Sequence, residues 1–214
     1  MGSTATTVGS AVVAARPDRA VLRLEVVALK PTPSEALAEV AARGEVLSRT
    51  LAEDGVAEAD RTTGGVALRE LREWDRRREE ETFRGHQART VTVVQIRDLA
   101  TLGRVVRDVV DQAAARVEGP SWIVDADNPA RIEAYRLAAL DARRRAEAYA
   151  AALGMTLGAV VELSDAPLRH EPSPQPRMIG MALAPAAESA PLPVETGDVV
   201  VDATVRASFA LLPG

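Results

Sequence analysis

Few side chains in this 214-residue sequence could do chemistry, and their spacing argues against most of what they could do. There is no cysteine, which removes disulfides, thiolate metal sites and a cysteine nucleophile, and the histidines are two, His86 and His170. A zinc or di-iron centre needs several ligands at defined spacings, which two isolated imidazoles do not supply. Both are read as surface residues, His86 at a strand start and His170 in a proline-rich stretch. Ser164, Asp165 and His170 have the residue types of a hydrolytic triad, but they crowd into one irregular segment, and a triad is a matter of geometry rather than local composition. Gly64-Gly65 lacks the following Lys-Ser/Thr of a phosphate loop. Arg143, Arg144 and Arg145 could hold a phosphate, yet Asp141 and Glu147 lie within one helical turn, where surface ion pairs form. No catalytic, cofactor or metal residue is assigned, and the chain is read as a non-enzyme.

What remains is contact chemistry. Trp74 and Phe83 flank a charged tip, Asp75 to Glu81, at corresponding ends of two strands, where a cross-strand aromatic pair stabilises a hairpin or anchors a neighbour. Met178, Ile179, Met181 and Leu183 form an apolar cluster that folds back on the core or enters a groove on another subunit. These six residues are the candidate assembly or partner contacts.

The elements that must position them follow from periodicity. Thr6–Ala14 and Ala20–Ala28 read as strands joined at Pro17-Asp18, a hairpin. Thr32-Pro33-Ser34-Glu35 is a capping box with proline at the first helical position, and the helix ends at Gly55. Residues 62–74 and 87–96 form a second strand pair, and Asp98 caps a helix with apolar positions from Leu99 to Val109. A strand at 116–124 completes two βαβ-like units. The long helix of the C-terminal half spans Asn128–Leu153, with an expected packing stripe of Ile132, Tyr135, Ala139, Ala142, Ala146, Tyr149 and Leu153. Short strand 157–163 precedes residues 165–197, which carry seven of the thirteen prolines and so read as a long loop insertion. Residues 199–212 close the fold as a long strand, with Val201, Ala203, Val205, Ala207, Phe209 and Leu211 on one face. The class is α+β with an antiparallel-rich sheet, in one domain over residues 1–214.

Composition bounds the setting. With 47% hydrophobic residues the chain can bury a sizeable core, and with 27% charged residues and a net charge of -5 it lacks the footprint of a nucleic-acid binder. The longest uncharged apolar stretch, 148–161, is shorter than the roughly 18 residues of a spanning helix. The first residues lack the basic start and apolar run of a secretory signal, so a cytoplasmic protein is expected, with an exported mature form left open.

Order and spacing then carry a resemblance over nearly the whole chain. Ala138-x-x-Asp141-Ala142-Arg143-x-x-Ala146-Glu147-x-x-Ala150 leads into Leu153-Gly154 and Leu157-Gly158, and Phe83-Arg84-Gly85 is followed by strand 91–96 and Asp98-Leu99. In these the sequence resembles the SIMPL family. That resemblance implies an α/β fold, no agreed catalytic residues, relatives in the bacterial envelope and an animal adaptor branch, and large closed homo-oligomers in some members. The expected function is a non-enzymatic, homo-oligomeric scaffold, with a monomeric or dimeric adaptor for a protein or small apolar ligand as the alternative.

Overall fold

Alternation of small or branched apolar residues with polar ones gives this molecule more strand than helix among its described residues. The computed structural model describes residues 2–75, 79–165 and 197–214. Its elements are β1 (Thr4–Ala15), β2 (Arg19–Lys30), α1 (Pro33–Glu53), β3 (Arg61–Thr63), β4 (Ala67–Asp75), β5 (Glu80–Ile96), α2 (Leu102–Ala113), β6 (Arg116–Ile123), α3 (Pro129–Ala152), β7 (Met155–Asp165) and β8 (Val199–Pro213). The fold is α+β with antiparallel sheets, as the sequence predicts. The chain divides into two compact units, one holding residues 17–123 and the other residues 2–16, 124–165 and 197–214.

In the unit of residues 17–123 the sheet order is β3-β5-β2-β6, with β4 also paired to β5. Every second residue of β2, namely Ala20, Leu22, Leu24, Val26 and Ala28, is buried. Leu47 and Leu51 of α1, Val105 and Val109 of α2, and Val94 and Ile96 of β5 complete the main core. The caps fix where the helices start. Thr32 accepts the Glu35 N–H through its hydroxyl while Glu35 accepts the Thr32 N–H, closing the capping box, and Gly55 at φ 81 follows the helix end. Asp98 accepts the Ala100 N–H, but the first turn after it, Leu99–Thr101, is 3-10, so the α-helix proper begins at Leu102.

The other unit is a three-stranded sheet, order β1-β8-β7, with α3 laid on it. Here the expected hairpin of the first two strands is overturned. β1 pairs along its length with β8, from Thr4 opposite Ala210 to Ala15 opposite Val199, while β2 takes β5 and β6 as neighbours in the other unit. Pro17-Asp18 is a crossing between two sheets. The packing stripe of α3 is corrected in part: Ala142 and Ala146 are buried as expected, and the larger side chains are not. Ile132, Tyr135, Tyr149 and Leu153 are 63%, 46%, 61% and 70% exposed, and the buried row is Ala134, Ala138, Ala142, Ala146 and Ala150, all four residues apart. A ridge of alanines at that spacing lets the helix come close to the sheet. It does so at Gly9 of β1, where an added Cβ would stand 2.1 Å from the Ala138 carbonyl oxygen. Thr7 donates to the Ala142 carbonyl beside it at 2.7 Å.

Candidate functional site

The residues singled out for contact lie on a hairpin that outruns its sheet. β5 pairs with β2 over His86–Ile96, whereas its first residues, from Glu80 to Gly85, have only β4 opposite them among the described residues. Trp74 and Phe83 sit there, 57% and 47% exposed. They are not directly opposite one another. Trp74 pairs with Glu81 and Phe83 with Arg72, so the two are diagonal neighbours on one face. The ring contact of Phe83 is edge-on to His86, centroids 5.3 Å apart, and His86 is half-buried. A bulge shifts this register: Gly85, at φ 137, faces Leu71, and Arg84 is the extra residue on β5. The candidates Met178, Ile179, Met181 and Leu183, together with His170 and the proline-rich insertion, lie outside the described residues.

Open strand edges are the second feature. Among the described residues β4 has β5 as its strand partner, and β1 and β7 each have β8. Along β7 the side chains of Val160, Val161 and Leu163 are 56%, 62% and 63% exposed. Apolar residues on a free edge are what monomeric proteins avoid, and what an assembling protein uses.

The arginine run of α3 and two carboxylates, Asp141 and Asp54, bind partners within the fold. Arg143 binds Glu147 at 2.8 Å, while Arg144 and Arg145 both bind Asp141, so the arginine run is committed to helix-surface ion pairs. Asp141 itself is buried and accepts the Ser10 N–H of β1, pinning α3 to the sheet. That backbone N–H and the two guanidinium groups hold its carboxyl below the ordinary 3.8. A depressed carboxyl stabilises the folded state above its unfolded value and ceases to do so as pH falls through the folded one. Asp141→Asn is therefore expected to melt below the parent at pH 7, the gap closing as pH drops below about 3.8, in thermal unfolding followed by circular dichroism. Asp54, at the end of α1, is moved the other way. Burial and the Asp108 carboxyl raise it, against Arg104 at 3.1 Å.

Neither carboxyl lines either of two depressions among the described residues. The larger depression, about 630 Å³, is open and bordered by Glu45, Arg49, Glu58 and Arg61, and a second of about 350 Å³ lies over the β3–β4 junction beside Arg23 and Arg89. No group of three or more metal-ligating side chains occurs among the described residues, and no described helix is long and apolar enough to cross a membrane. The open edge of β4 was missed in the sequence because edge status depends on pairing; its alternation of Arg and Glu was the available signal.

Comparison with known proteins gives a consistent picture. A family model described as SIMPL, protein of unknown function (DUF541), matches residues 5–209, running through both units. The 26 kDa periplasmic immunogenic proteins of Brucella melitensis biotype 1 and Brucella abortus are each 28% identical over 213 residues, 95% of this chain and 82% of theirs.

Proposed function

Since the chain belongs to the SIMPL family of proteins of unknown function, we propose that it works by self-assembly, as a non-enzymatic subunit of a homo-oligomeric scaffold, with both units acting as one module. The observation that carries this reading is the β1-β8-β7 sheet with two different open edges among the described residues. β1 and β7 are both antiparallel to β8, so they run parallel to each other. The β7 edge of one copy meeting the β1 edge of the next continues the sheet head to tail, and such heterologous contacts close into rings when the rotation allows. Val160, Val161 and Leu163 on β7, with Val8 and Val12 exposed on β1, supply apolar surface for it. The names of the Brucella relatives support a periplasmic location in place of the cytoplasmic one that the sequence predicts.

The test is solution mass by light scattering coupled to size exclusion. A discrete species well above 22.7 kDa is expected for the parent chain. Val161→Lys, which puts a charge on the β7 edge, should reduce that mass while leaving the circular dichroism spectrum unchanged. A monomer at every concentration would overturn the reading and shift the function to an adaptor, for which the exposed Trp74 and Phe83 are the first surface to probe.

A further inference from the structure

The charge pattern of the edge strand β4 reverses sign when the strand is read from the other end, so the strand complements a second, antiparallel copy of itself. From Leu68 to Trp74 it runs Leu-Arg-Glu-Leu-Arg-Glu-Trp. A twofold axis through Leu71 that brings up a second antiparallel copy sets Arg69 opposite Glu73 and Glu70 opposite Arg72. The same axis sets Leu71 opposite itself and Leu68 opposite Trp74. We propose that β4 is an isologous docking edge for a second copy of this chain, joining two β5–β4 sheets into one.

Three observations carry this. First, among the described residues β4 has β5 as its strand partner, and its side chains from Ala67 to Trp74 are exposed except the half-buried Leu71. Leu68 and Trp74, which would meet across the axis, are 42% and 57% exposed. Second, β4 keeps a regular pleat. The extra residue of the bulge belongs to β5, so Leu68, Glu70, Arg72 and Trp74 stay on one face and Arg69, Leu71 and Glu73 on the other. Each face of the joined sheet then carries only complementary pairs. Third, the charges select the register. Moving the axis to residue 70 or 72 puts Glu70 or Arg72 against its own copy. Moving it by half a residue puts Arg69 against Arg72 or Glu70 against Glu73. Parallel in-register pairing sets every charge against its like.

Among the described residues of the single chain Arg69 donates to Gln87 at 2.9 Å, and the ion pairs of Glu70 with Arg72 at 3.3 Å and of Glu73 with Arg84 at 2.8 Å are exposed. Exposed pairs of this kind contribute little, so exchanging them for partners across the axis is inexpensive.

The inference deepens the assembly reading and rests on it only in requiring self-association. Its test uses two full-length variants, Arg72→Glu and Glu70→Arg, followed alone and mixed by sedimentation velocity over a concentration series. Each alone sets like charges opposite one another, twice by symmetry, while mixing the two restores opposite charges in the mixed pair. Each variant alone is expected to weaken the twofold contact roughly 100-fold with an unchanged thermal midpoint, and the equimolar mixture to regain it. Variants that associate like the parent would overturn the β4 contact and leave assembly through other edges standing. A loss that mixing does not restore would also overturn it. A parent chain that is monomeric throughout would overturn both readings.

Discussion

Gly9→Ala is expected to destabilise the unit that contains it by about 3 kcal/mol or more, as overpacking against backbone does when neither side can yield. The added methyl would stand 2.1 Å from the Ala138 carbonyl oxygen, 2.3 Å from the Ala142 nitrogen and 2.8 Å from the Ala142 Cβ. Two of those atoms belong to the α3 backbone, so relief requires lifting the helix from β1. That movement would also break the Thr7 hydroxyl bond to Ala142 and the Ser10 N–H bond to Asp141. The damage has a convenient reporter. The two tyrosines of the chain, Tyr135 and Tyr149, both lie on α3. Their ring resonances should broaden or move in the variant; parent-like tyrosine signals and thermal midpoint would show the approach is less tight than described.

The second large effect is expected at Leu24. Its side chain is fully buried at the middle of β2, with β5 on one side and β6 on the other, in a core shared with Leu47, Leu51, Val105 and Val109. Leu24→Ala removes buried methyl groups and leaves a cavity that a sheet centre closes poorly, a loss of about 2–5 kcal/mol. Trp122 packs against this same core and the other tryptophan, Trp74, lies in the same unit, so tryptophan fluorescence reads this lesion. The two variants together measure coupling. If each shifts only its own reporter, the units melt separately; if either shifts both, they melt as one. An unchanged tryptophan transition in Leu24→Ala would contradict the assignment of the core.

Much of the fold was legible wherever the signal was local. The capping box at Thr32–Glu35, the Asn128-Pro129 helix start and the alternation that buries Val201, Ala203, Ala207 and Phe209 are all short-range chemistry, and each stands where expected. The hairpin failed because strand pairing is not local. Thr4 finds its partner at Ala210, and nothing in the turn at Pro17-Asp18 encodes that. The α3 stripe failed in part, for a subtler reason. Periodicity favours large apolar residues at spacings of three and four, but α3 rests on a strand with a glycine, where only alanine fits, so the larger side chains remain outside. The candidate contacts were partly legible: Trp74 and Phe83 are exposed as an anchoring pair requires, while the bulge at Gly85 made them diagonal rather than opposite.

One feature of the topology also governs how the protein is made. β8 is the central strand of its sheet and the last of the described strands, whereas the described residues of the other unit, 17–123, are one continuous stretch. During synthesis the continuous unit can fold as soon as β6 leaves the ribosome, while β1 and α3 wait for β8 to emerge. For that interval β1 and β7 have no strand between them, and their valines are open to other nascent chains. The slow step of maturation should therefore be insertion of β8, a closure of high contact order, and chaperones that hold exposed strands would act on this unit rather than on the other.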